Sequence, residues 1–161
     1  MHSAGYVPDM KPTKIALCFF LAISGILAEE TNPNLTNDDS PMAKDYGRFF
    51  DEMAVKMQAI DAELMQAQTA KAAAIGVVRF TYTMRDMRDR AEVLDKKYPL
   101  AKGDMPPKLR EKSETFAEAA KHLGQNGMQR VAAKFADTPE MKFAMGLLRE
   151  FADGEKKVHR K

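Results

Sequence analysis

Cysteine is almost missing from this chain of 161 residues: there is one, Cys18, and tryptophan is absent altogether. A single thiol allows no intramolecular disulfide and no multi-cysteine metal site. Glycine (9) and proline (8) are sparse, which argues against a turn-rich all-β domain and against low-complexity disorder. Neither sign of charge prevails, with 25 Lys and Arg against 23 Asp and Glu, so charge points to no nucleic-acid or membrane partner. Methionine (12), with many Ala, Lys and Glu, fills the space instead, and these are helix formers more than sheet formers. At 45% apolar residues the composition predicts one globular, all-α domain.

Lys11 and Lys14 precede an apolar run from Ile15 to Leu27, and Ala28 stands before Glu29 and Glu30. That order is the order of a secretory signal peptide, so residues 1–28 are expected to be removed, with Met10 as an alternative start. The run is short for a membrane span, and the mature protein is expected to be periplasmic or secreted, with no membrane span. Removal takes Cys18, two lysines and one aspartate, which leaves 23 basic and 22 acidic residues. No thiolate then remains for metal binding or nucleophilic chemistry. Residues 29–41 are polar and turn-rich, a flexible leader before a bundle domain over residues 42–161.

Apolar residues then recur at helical spacing. Tyr46, Phe50, Met53, Met57, Ile60, Leu64 and Ala67 form one stripe, with Ser40 and Pro41 as cap and first-turn pair. Val77, Phe80, Met84, Met87, Ala91, Leu94 and Tyr98 form a second, which ends before Pro99 and Gly103. One helix through both would be about 85 Å long, too long for a domain of this size, so a break is expected near Thr69, which caps the second helix. A third stripe, Leu109, Ser113, Phe116, Ala120 and Leu123, continues through Gly127 and Val131 with a bend at "GQNG". Thr138 and Pro139 restart the last helix, whose stripe is Met141, Met145, Leu148, Ala152, Glu155 and His159. Four amphipathic segments joined by short connections predict an antiparallel, up-down-up-down four-helix bundle with sequence neighbours as spatial neighbours.

With that register, the chain resembles the cytochrome c-prime family and the four-helix b-type cytochromes. The resemblance lies in the export signal, in "GRFFDEMAVKMQAI", in "MPPKLREKSETFAEAAKHL" and in "MGLLREFADGEKKVHRK". Members end in a Cys-x-x-Cys-His motif that attaches haem and binds its iron; here Glu155 and Val158 stand at the cysteine positions and His159 at the histidine. Without thiols there are no thioether links, so the resemblance implies a bundle without covalent haem. A b-type haem needs no such link, and the resemblance then makes Met53 and His159 the cofactor-binding pair, thioether and imidazole on opposite helices.

No nucleophile motif, phosphate-cradling loop or Glu-x-x-His pair occurs, so no enzymatic activity is expected. Met53 with Met57, Met84 with Met87 and Met141 with Met145 sit at helical spacing; clustered thioethers suit Cu(I), and an exposed Met-rich groove would suit a periplasmic chaperone, yet the same positions are what a core requires. His122 reads as a surface residue beside Leu123 on the seam. Glu52, Asp61, Glu63, Asp86 and Asp89 fall mostly outside the stripes, where charges are solvated. The expectation is therefore a non-catalytic binding or interaction protein without a cofactor, its partner a protein or small ligand and a homodimer among the options; haem b electron transfer is the alternative.

Overall fold

Ser40 starts the first helix. Its Oγ accepts a hydrogen bond from the Ala43 amide at 3.1 Å, and Pro41 occupies the first turn, where its missing donor costs nothing. The computed structural model describes residues 38–98 and 105–158, with side chains as far as Gly154. From Ser40 the chain runs as α1 (Pro41–Gln66) and then α2 (Ala70–Lys97). The break between them falls where Thr69 predicts it: Ala67 and Thr69 are extended, and the Thr69 side chain accepts from the Ala72 amide at 3.2 Å. Neither glycine nor proline makes this turn; two extended residues and one hydroxyl do.

A third rod is built of α3 (Pro107–Leu123), a π-helical turn (Gly124–Met128) and α4 (Gln129–Phe135), so "GQNG" widens the helix without stopping it. Pro106, at the N-cap, offers no side-chain acceptor, and the free Lys108 amide is satisfied at 3.0 Å by Asp38 from before α1. The last helix, α5 (Pro139–Val158), follows Thr138, whose hydroxyl donates to the Phe135 carbonyl at 2.8 Å and accepts from the Met141 amide at 3.4 Å. Every element among the described residues is helical, and none of these helices is long and apolar enough to cross a membrane. The expected signal peptide and most of the leader lie outside the described residues, as does His159.

The first stripe is buried from Phe50 to Ala67, with Tyr46 half-buried at its end. In α2, Val77, Met84 and Met87 are buried and the rest of the stripe is half-buried. Leu123, Gly127 and Val131 are buried four residues apart, with Phe135 half-buried beyond them. Steps of four drift around an α-helix with 3.6 residues per turn, and the wider π turn absorbs the drift. The α5 seam differs from the predicted one: Ala144 and Phe151 are buried, while Met145 and Ala152 stand half-buried at its flank. A 3.6-residue repeat permits either step, and Phe151 settles it by tucking its ring under the Arg85 and Arg88 guanidinium groups, 6.0 and 5.4 Å from its centroid.

Ion pairs join α1 to α2 along their length: Asp45 with Lys97 (2.7 Å), Glu52 with Arg90 (2.7 Å), Lys56 with Asp86 (2.8 Å) and Glu63 with Arg79 (2.7 Å). Partner numbers fall along α2 as they rise along α1. The widest interfaces, however, join α1 to α3 and α2 to α5, so rods adjacent in sequence make only part of the bundle. Between α1 and the third rod the contacts advance together along both, from Asp51 with Lys112 and the Phe50 ring 6.0 Å from that of Phe116 to the Gly127 amide of the π turn, which donates to Asp61 Oδ1 at 2.9 Å.

Close approach around Leu64 depends on two glycines. A Cβ on Gly76 would lie 2.5 Å from Leu64 Cδ2; one on Gly127 would lie 2.7 Å from Asp61 Oδ1 and 3.0 Å from Leu64 Cβ. Fully buried Leu64 is thus held between the bare backbones of two other rods.

Candidate functional site

Met53 is fully buried on the core face of α1, one turn before the equally buried Met57. Phe49, Phe50 and Phe116 belong to the same cluster, with ring centroids 5.5 Å apart between the first two. Met84, Met87 and Met141 are buried as well, and Met145 is half-buried. The only buried polar side chain among the described residues is Thr81, whose hydroxyl donates to the Val77 carbonyl at 3.1 Å. A thioether is by its chemistry an axial haem ligand, and here the Met53 thioether is packed wholly among the chain's own side chains. Its proposed partner, His159, lies beyond the described residues, while α5 itself remains helical through Val158.

A polar cluster that no motif in the sequence marks closes one end of the α1–α2 pair. The Tyr46 hydroxyl donates to Asp95 Oδ1 at 2.6 Å, and the Tyr98 hydroxyl donates to Asp45 Oδ2, also at 2.6 Å. Lys97 Nζ donates to that same Asp45 oxygen at 2.7 Å and lies 5.0 Å from the Tyr98 ring centroid. The hydrogen bond from Lys97, then the one from Tyr98, holds the Asp45 carboxyl below its usual range, and the Asp45 bond raises Lys97 in turn. Burial pushes the Tyr46 phenol above its ordinary value, and the bond to Asp95 adds to the shift. Both phenols spend their protons on carboxylates, so the cluster acts as a clasp between helix ends.

His122 is exposed, with Nδ1 3.1 Å from Asn126 Nδ2, and Leu123 beside it is buried. Glu52, Glu63 and Asp86 make the interhelical ion pairs described above, Asp89 pairs with Arg88, and Asp61 takes the amide of the π turn. No group of three His, Cys, Asp or Glu side chains among the described residues is placed to hold a metal ion.

Near the α1–α2 turn a shallow, open groove of about 620 Å³ is lined by Ala59, Ala62, Glu63, Gln66, Ala72 and Arg79. Beside it the back of α1 carries Val55, 64% exposed. Periodicity aimed at the core passes over such a face, although its sequence signal, a second apolar row offset from the first, is present. Comparison of the chain with protein-family models, with curated proteins and with solved structures finds no match.

Proposed function

We propose that this is an exported, non-catalytic binding protein, an antiparallel up-down-up-down four-helix bundle of the cytochrome c-prime type without covalent haem. One observation carries the binding role: the interior is filled by the chain's own side chains, while Val55, Tyr82 (60% exposed) and Phe143 (67% exposed) stand in solvent on the backs of helices. Exposed rings such as those of Tyr82 and Phe143 are residue types that protein-binding faces favour. The opposite running order of α1 and α2 is supported by their ion pairs, and the like order of α1 and α3 by the pairing of Asp51 with Lys112 and of Asp61 with Gly127. A chaperone groove lined by methionine finds less support, because Met53, Met57, Met84, Met87 and Met141 are all buried.

The alternative, b-type haem held by Met53 and His159, draws on the burial of Met53 and on the continuation of α5 up to the residue before His159. Haem bound there would supply one-electron redox chemistry at a potential tuned by thioether and imidazole. Titration of the purified protein with haem, followed by absorption, separates the two. A flat response supports the haem-free role, and a Soret shift that survives His159→Ala ends the Met53–His159 reading. A shift abolished by His159→Ala and by Met53→Leu overturns the haem-free role.

A further inference from the structure

The ladder of ion pairs between α1 and α2 fixes their register. From Glu52 to Lys56 to Glu63 the chain steps forward by four and seven residues, and the partners Arg90, Asp86 and Arg79 step back by the same amounts. Met53 therefore stands level with Asp89 and Met57 with Arg85, which brings both opposite Met84 and Met87. From Met84 to the level of Met53 the four methionines span only about 7.5 Å of the bundle axis at the standard helical rise. Met53 and Met57 have no exposed surface, and Met87 and Met84 are 3% and 7% exposed. They are the only large side chains that α1 and α2 bury between those levels. Packing asks for apolar volume alone, which leucine supplies with a better-defined side chain; four sulfurs in four places supply donors as well.

We propose that Met53, Met57, Met84 and Met87 form a site for a soft monovalent cation, Cu(I), ligated by thioether sulfur alone. The donor set selects the ion. Thioethers are soft and uncharged, and Thr81, the one buried polar side chain among the described residues, donates its proton to the Val77 carbonyl, so Zn(II) finds none of the thiolate, imidazole or carboxylate ligands it prefers. A single charge is the least costly to bury, and the rings of Phe50 and Phe116, 6.0 Å apart in the same cluster, carry the π systems that favour a cation. No prior cavity is needed: metal–sulfur bonds of about 2.3 Å set neighbouring sulfurs about 4 Å apart, which is ordinary packing contact. The α1–α2 interface is also narrower than α1–α3 or α2–α5, so the rods that carry the ligands are the more loosely joined ones, and their parting admits the ion.

Cu(I) itself is the probe, supplied as its bicinchoninate complex under ascorbate without oxygen to a Cys18→Ser chain, so that no thiol competes. The protein withdraws a single Cu(I) per chain, X-ray absorption shows a shell of sulfur around the metal, and the loaded form melts at a higher temperature. Met57→Leu combined with Met84→Leu keeps core volume and helix content and weakens binding at least about tenfold, whereas Met65→Leu, on the exposed side of α1, leaves it unchanged. No withdrawal of copper overturns the site. So does withdrawal indifferent to the double variant, or a shell of nitrogen and oxygen. Should the double variant fail to fold, the shell measured on the parent chain decides. The surface binding role does not enter this inference, and the haem reading shares only Met53 with it, so haem titration and copper titration fail independently.

Discussion

Tyr46 and Asp45 are adjacent, yet pH acts on them from opposite ends. Because the folded state raises the Tyr46 phenol above its unfolded value near 10, its contribution to stability is complete below that value and fades as pH rises through the folded one. Ultraviolet titration of the native protein should therefore show one phenol ionising late, and Tyr46→Phe should delete that step. For Asp45 the folded value is lowered, so its contribution is present above the unfolded value near 4 and lost as pH falls through the folded one. Asp45→Asn should flatten the acid limb of the stability curve measured by thermal melts. Glycines give a further contrast at this scale. Gly127→Ala meets Leu64 Cβ and the Asp61 carboxylate and should destabilise by about 1–3 kcal/mol, whereas Gly146→Ala, with open space around its new methyl, should stabilise by roughly 0.5–1 kcal/mol in denaturant titrations.

At the scale of elements, helix starts were readable from sequence because a cap is local chemistry. Ser40 with Pro41, Thr69, and Thr138 with Pro139 each begin a helix at the residue that spacing and side-chain type indicate. Thr69→Ala should cost about 0.5–2 kcal/mol, measured by urea unfolding, since it removes the acceptor for the Ala72 amide. Lateral pairing was not readable. An apolar stripe says which face is covered but not which rod covers it, so the broad α1–α3 and α2–α5 interfaces appear only in three dimensions. The π turn showed in the sequence as a bend alone, because its tie to α1 is a long-range bond between Gly127 and Asp61. Asp61→Ala should speed hydrogen exchange of the Gly127 amide and leave the α5 amides unaffected.

For the whole molecule, the interior methionines separate fold from chemistry. Met53→Leu keeps volume and should cost less than about 1.5 kcal/mol, while Met53→Ala should cost about 2–5 kcal/mol, both read from calorimetric melts. If Met53 also bound iron, Leu would preserve the melt and abolish the haem spectrum, so the pair of variants tells packing from ligation. Of the proposed pair, the seam position of Met53 predicted its burial, while His159 lies outside the described residues.

The grip of Gly76 and Gly127 on Leu64 ties three distant positions into one unit of inheritance. A methyl at residue 76 is a steric fault only while Leu64 is in place; with Leu64→Ala the vacated volume accepts it, so the two changes together should cost less than the sum of each alone. Drift at residues 64 and 76 is therefore contingent: the order in which substitutions arrive decides which survive, and residue 76 is free to vary only in a lineage that has already trimmed the leucine, whereas Gly127 stays bound by Asp61 and the Cβ of residue 64.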